Sequence, residues 1–364
     1  MNRIKQSSLR CPLTSPPHQI PHPTRSNVKR PDPTFLDLFD ALLFDMDGTL
    51  MNGSTVIEHG VDAVAAARAR GLAIAFATNN ASRTPDMVVE HLASLGYEAH
   101  AHEVVNSPMI AMSLVRAHVE PGSTILVVGG RGLVEEVERN GYTVTREDRD
   151  DVKAVIQGFA PTVGWADLAE AAYAIRRGAF FVATNIDSTL PTEKGFAPGN
   201  GSLVHALEFS TGVKAVAAGK PEPAMFKVAA EISSSSRPLA IGDRLDTDLE
   251  GGNRANVPTF HTLTGVSSWI DAAHAPAIQR PVFVRPNLSF LGKSAAHPVI
   301  DAERAHLGST AAHLEGGDIV VTGDASSWRA AQVVLSLVNA RFPESTFEGA
   351  IRAASGELFG PFGE

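Results

Sequence analysis

The sequence predicts an α/β protein built on a parallel sheet, and three observations carry that expectation. Short apolar runs recur along the chain and stop at polar residues. Ala41-Leu42-Leu43-Phe44 ends at Asp45, and Leu72-Ala73-Ile74-Ala75-Phe76-Ala77 ends at Thr78. Runs of this length without alternation fit strands buried on both faces. Helical patterns separate them, and strand–helix–strand order is the mark of crossover connections in a parallel sheet.

The elements follow in chain order. Residues 1–36 read as a disordered tail, because prolines recur at Pro12, Pro16, Pro17, Pro21, Pro23, Pro31 and Pro33 and no acidic residue precedes Asp32. Such a segment buries too little apolar surface to offset its chain entropy. Residues 61–70 form a helix that stops at Gly71. A second helix opens at Thr84-Pro85, with proline in the first helical position, and carries Val88, Leu92 and Leu95 before Gly96. Further strands are expected at 124–128, 154–156, 180–183, 215–218, 239–241 and 259–263, with helices at 132–140 and 165–177. The segment 292–316 is weakly periodic, 318–321 fits a strand, and 326–341 fits an amphipathic helix.

Composition narrows the function classes. At 364 residues the chain is long enough for two or three domains. A formal net charge of −9 argues against nucleic acid or an anionic membrane as the main partner. Cys11 is the only cysteine, so no internal disulfide forms. No run approaches the ~20 apolar residues of a spanning helix. The basic N-terminus lacks an apolar stretch, so no secretory leader is expected and the cytoplasm is the expected location.

Chemistry concentrates where the expected strands end. In Asp45-Met46-Asp47-Gly48-Thr49-Leu50, Asp45 can attack phosphorus as a carboxylate nucleophile. Asp47 can protonate a leaving alkoxide and then deprotonate water. Gly48 permits a tight turn, and the backbone N–H groups around Gly48 and Thr49 can hold phosphate oxygens. A carboxylate nucleophile facing a phosphate dianion needs a cation, and Gly242-Asp243-Arg244-Leu245-Asp246-Thr247-Asp248 supplies acids for Mg2+. Asp243 is the expected ligand, beside Asp45 and the Asp47 carbonyl. Asp248 is expected to orient waters or Lys220, and Asp246 either to join these acids or to cap a helix or face solvent. Thr78 and Asn79 offer uncharged donors for phosphate, and Lys220, in Gly219-Lys220-Pro221, an ammonium. His59, His91, His102, His118 and His205 show no metal spacing, and Gly129-Gly130-Arg131-Gly132 is a weak dinucleotide signal.

These pieces occur in the order of the haloacid dehalogenase (HAD) superfamily, which the chain resembles over roughly 38–285. The long interval between Thr78 and Lys220 is similar to the class IIA, NagD-like phosphatases, which carry a cap domain there. The resemblance implies a Rossmann-like three-layer core at 37–118 and 215–282, an inserted α/β cap at 119–214, and a small C-terminal α+β extension at 283–364. Asn185 and Asp187, followed by Pro191, Gly195, Pro198 and Gly199, are similar to the cap segment that faces the substrate. Leu190 falls where pyridoxal-phosphate phosphatases of this class carry a histidine, which disfavours that substrate. The whole layout looks like the actinobacterial glycerol 3-phosphate phosphatases, whose extension is acetyltransferase-like. This extension lacks an R-x-x-G-x-G/A loop, so docking, regulation or plain packing is expected of it rather than acetyl transfer.

The resemblance thus implies a Mg2+-dependent phosphomonoester hydrolase acting through an aspartyl phosphate, on glycerol 3-phosphate. Phosphoglycolate, a nucleotide monophosphate or a mixture of small phosphorylated metabolites are the alternatives. A non-catalytic regulatory protein on the same scaffold is the rival from another class, and a homo-oligomer remains open.

Overall fold

The structure is a computed structural model that describes residues 32–359 apart from Glu193 and Ala302. Most of the proline-rich segment, with Cys11, lies outside the described residues. Residues 32–36 do not belong to a tail. Phe35–Leu38 forms a short helix, Phe35 is fully buried, and Thr34 bridges to Ser294.

The central sheet has six parallel strands in the order Phe283–Arg285, Thr259–Thr262, Pro238–Gly242, Ala41–Phe44, Ala73–Thr78, Val104–Asn106. Ala41–Phe44 is central, and all four of its residues are buried. Successive side chains leave opposite faces. Leu42 and Phe44 therefore enter one hydrophobic cluster with Ile74 and Phe76. Ala41 and Leu43 enter another with Ala75 and Ala77. Helices cover both faces, giving three layers. Phe44 lies opposite Ile241 on one side and Phe76 on the other, so the chain leaves these strands at one edge of the sheet.

A second, five-stranded parallel sheet has the order Val216–Ala217, Phe180–Ala183, Val152–Gln157, Thr124–Val128, Thr143–Thr145. A third sheet follows, with strands Val299–Asp301, Arg304–Leu307, Thr310–Glu315, Asp318–Thr322 and Ile351–Ala353. Its first four strands pair antiparallel and the last is parallel to its neighbour. Helix Trp328–Arg341 shares a buried cluster with this sheet.

Three expected boundaries shift. Val216–Ala217 pairs with Phe180–Ala183 and so edges the second sheet rather than opening the core segment expected from 215. Phe283–Arg285 pairs with Thr259–Thr262, so the core sheet continues past 282. The weakly periodic stretch at 292–316 holds three strands of the third sheet. Among the described residues no helix is long and apolar enough to cross a membrane.

Candidate active site

Asp45 follows the central strand directly, and its N–H donates to Ile241 O at 2.8 Å. Asp243 follows the neighbouring strand, and Asp248 lies on the single wide turn Leu245–Leu249. Each of these three acids has a carboxylate oxygen within 4.8 Å of the others. Lys220 reaches the same point from the chain after the second sheet. Its Nζ donates to Asp45 Oδ1, to Asp248 Oδ1 at 2.6 Å and to Ala77 O at 3.1 Å. Exposure is 7% for Asp45, 2% for Lys220, 0% for Asp243 and 2% for Asp248, so water screens these charges poorly.

Burial shapes the protonation of the group. It lifts Asp45 well above the usual carboxylate value, and the Asp248 charge adds to the effect against the pull of Lys220. Asp243 is pushed up to about 7 by burial and then by Asp248, although the Val266 N–H opposes the shift. Burial alone would lower the Lys220 ammonium, but Asp248 and Asp45 outweigh it and hold the group above its ordinary value.

The site fits a divalent cation. Were the three acids ionised, one ammonium would leave two negative charges in a buried space, which a divalent cation would balance. Asp243 Oδ1 is buried without a hydrogen-bond partner among the described residues, while Oδ2 accepts from Val266 N at 2.7 Å. An orphaned buried carboxylate oxygen is costly unless a cation or donor meets it. Gly48 has φ +87°, and a Cβ there would run into the Asp243 carboxylate.

The other expected site residues take more varied positions. The exposed Asp47 side chain stands at the mouth. Surrounding protein raises it above the usual carboxylate value, against the pull of Lys220, Arg83 and His91. Gly48 N and Thr49 N, expected to face phosphate, donate within the turn instead, to Met51 O at 2.7 Å and Met46 O at 3.3 Å. Among the described residues Met46 N and Asp47 N have no backbone acceptor, which makes them the free donors of this turn. Thr49 Oγ1 is buried without a partner among the described residues. Thr78 Oγ1 accepts from Asn80 N at 3.1 Å, leaving its own proton to donate.

Asn79 also departs from the expected phosphate contact. Its Oδ1 accepts from Lys220 N at 2.8 Å, and its Nδ2 donates to Lys220 O at 3.0 Å and toward Asp187 Oδ1 at 3.2 Å. The amide is thus spent on seating the lysine and tying it to the second sheet's loop. Asn185 Nδ2 donates to Asn79 O at 2.9 Å, so Asn185 and Asp187 both reach the core. Burial raises Asp187, against Lys220 and Arg244. Leu190 is exposed on the hairpin Thr189–Thr192 and Gly195–Pro198. Asp246 pairs with Arg244 at 2.9 Å, at the exposed rim.

Sequence reasoning missed the loop 264–267. Val266 N holds Asp243 Oδ2, Ser267 N donates to Asp243 O at 3.2 Å, and Thr264 Oγ1 donates to Gly48 O at 2.8 Å. The available signal was its place after an expected strand of the same sheet, at the edge where ligands gather.

Comparisons with known proteins agree with this geometry. The family described as haloacid dehalogenase-like hydrolase matches residues 42–143, and a related HAD-hydrolase-like family matches 217–291. A D-glycerol 3-phosphate phosphatase of Mycobacterium tuberculosis is 44% identical over 252 residues, which are 69% of this chain and 70% of the relative. The chain belongs to the haloacid dehalogenase-like hydrolases.

One further relative of this hydrolase carries a name with a different substrate. A 5'-nucleotidase of Bacillus subtilis is 35% identical, over 63% of this chain and 89% of the relative. The crystal structure of a glycerol phosphate phosphatase of M. tuberculosis in complex with magnesium superposes with a TM-score of 0.80 at 36% identity. It covers 88% of this chain and 95% of that one. NagD of Escherichia coli K-12 superposes with a TM-score of 0.62 at 28% identity, over 69% of this chain and 97% of its own.

Proposed function

We propose that this hydrolase cleaves a small phosphomonoester with magnesium through a phosphorylated Asp45, and that glycerol 3-phosphate is its substrate. The meeting of Asp45, Asp243, Asp248 and Lys220 at one buried point carries the reading. In the first half-reaction an Asp45 oxygen bonds to phosphorus, the bond from phosphorus to the alkoxide breaks, and Asp47 gives the alkoxide its proton. In the second, Asp47 takes a proton from water, the water oxygen bonds to phosphorus, and the bond to Asp45 breaks. The raised affinity of Asp47 for its proton suits a group that must first act as an acid.

Magnesium, held by Asp45, Asp243 and the Asp47 carbonyl, supplies the positive charge that the phosphate oxygens need. Lys220 has its three protons committed to Asp45, Asp248 and Ala77 O, so it acts on the nucleophile more than on the phosphate. Thr78, Met46 N and Asp47 N donate to the phosphate. Asp248 fixes Lys220 and accepts from Arg244 N at 3.1 Å. The second sheet serves as the cap over this site, with Asn185, Asp187 and Leu190 selecting the leaving group. The 44% identity to a D-glycerol 3-phosphate phosphatase supports the choice of substrate. A freely diffusing metabolite of this kind fits a cytoplasmic enzyme.

Phosphate release from glycerol 3-phosphate, phosphoglycolate, pyridoxal phosphate and adenosine monophosphate, with and without magnesium, tests the reading. Glycerol 3-phosphate is expected to give the highest kcat/KM, only with magnesium, and Asp45→Asn to lose at least ~10³-fold in kcat. Near-wild-type turnover by that variant would end the nucleophile assignment. A preference of about tenfold or more for another substrate would overturn glycerol 3-phosphate alone.

A further inference from the structure

The acids of the site are held from behind by a cluster that belongs mostly to the C-terminal sheet and helix. The turn Leu245–Leu249 faces two ways. Asp248 points to Lys220, while Leu245 and Leu249 enter a buried cluster with Val333, Val334 and Leu337 of helix Trp328–Arg341. Asp243 is clamped by the loop 264–267, and Ser267 Oγ also accepts from Leu245 N at 3.2 Å. The next residue, Ser268, caps helix Trp269–His274, with Ser268 Oγ accepting from Asp271 N at 3.1 Å.

That short helix rests on the C-terminal part. Trp269 is fully buried in the same cluster, edge-on to Phe359 at 5.4 Å, and His274 Nε2 lies 3.0 Å from Gly349 O. The C-terminal helix also closes the core sheet. Val284 N donates to Gln332 Oε1 at 3.1 Å, and Gln332 Nε2 donates to Val282 O at 3.0 Å. One side chain thus takes the place of a further strand on an edge that would otherwise stand open.

We propose that the C-terminal domain is a positioning element of the metal site, with Leu245, Leu249 and Trp269 carrying its packing to Asp243 and Asp248. The proposal rests on the magnesium reading above for the identity of the ion. Each of the two acids is anchored through backbone next to residues of this cluster. A packed interior transmits displacement rather than absorbing it. A loosened cluster therefore spreads the carboxylates and weakens the ion.

Full-length variants test this by calorimetry of magnesium binding without substrate and Tm without metal. Leu249→Ala and Val334→Ala are expected to weaken magnesium roughly 10-fold, the low end for losing support behind a metal ligand. Leu249→Met is expected to restore binding. Leu126→Ala, in the separate cluster under the second sheet, is the control for lost stability and should stay within about twofold. If Leu249→Ala does not fold, Leu249→Val makes the smaller deletion. Equal weakening by Leu126→Ala at the same loss of Tm, or no weakening by Leu249→Ala or Leu249→Val, overturns the proposal. A wild-type protein that binds no magnesium overturns the metal reading itself, and this proposal with it.

Discussion

Replacing Lys220 with methionine separates charge balance from metal binding. Methionine keeps an unbranched apolar stem but removes the ammonium from a site where Nζ holds Asp45, Asp248 and Ala77 O. With the acids ionised, the buried charge goes from two negative to three. Removing one partner of a buried pair is destabilising by roughly 3–5 kcal/mol, because the remaining charge is left unpaired. At ~2.1 cal/mol/K of unfolding entropy per residue, 364 residues give about 1.3 °C per kcal/mol, so Tm without metal should fall by about 4–7 °C. Turnover should fall ~10²–10³-fold, the scale for losing one preorganised electrostatic group. Magnesium should bind as tightly as before or more tightly, since the ligand set becomes more negative. Differential scanning calorimetry, magnesium binding calorimetry and phosphate release read the three quantities. Turnover within tenfold of wild type, or magnesium binding weakened beyond tenfold, would refute the charge argument.

Two further outcomes follow from the same group of charges. Asp243 titrates near 7 in the folded, metal-free protein against about 3.8 as a free side chain, so the folded state binds more protons between those values. Stability without metal should therefore fall as pH rises from about 4 through about 7, and Asp45, shifted the same way, adds to it. Magnesium must displace that proton, so its affinity should rise across the same window; an affinity flat from pH 5 to 8 would contradict the assignment. Asp47→Asn should fold normally and, with an aryl phosphate such as p-nitrophenyl phosphate whose leaving group needs no proton, accumulate phosphoenzyme, because the second half-reaction loses its base. An acid-stable radiolabel on the protein after reaction with labelled substrate is the expected result, and its absence would count against Asp47.

The parallel core was legible because its strands carry a strong signal. Ala41–Phe44 and Ala73–Thr78 are apolar on both faces, and each ends on a residue with chemistry to offer. The C-terminal sheet was not legible for the opposite reason. Its first strands turn Ala305 and Ala312 toward the helix, and alanine carries little strand signal, whereas Ile319 and Val321 mark the one strand that was expected, at 318–321. Strand Phe283–Arg285 was hidden by a fully buried arginine, which reads as a surface residue until the fold supplies its surroundings. Arg285 stacks 3.9 Å from the Trp328 ring and donates to Val284 O at 2.8 Å. The acids and the lysine were identified by type and position. What Gly48 N, Thr49 N and the Asn79 amide do depends on backbone bonds that no residue type announces.

The dimensions of the metal site follow from strand pairing. Phe44 stands opposite Ile241 in neighbouring parallel strands, so the residues that follow, Asp45 and Gly242-Asp243, emerge side by side. Parallel strands lie about 4.7–4.9 Å apart. One oxygen of each of the three carboxylates lies within 4.8 Å of the others, a reach that side chains leaving adjacent strand ends can cover. A slip of one residue in this pairing would move Asp243 along the strand axis and send its side chain to the opposite face. Clusters on both faces oppose such a slip, because Leu42 and Phe44 on one side and Ala41 and Leu43 on the other would all exchange environments. The hydrophobic pattern of four residues therefore fixes the distance between two acids, which is why a buried apolar tetrapeptide ahead of Asp45 matters to the chemistry as much as the aspartate does.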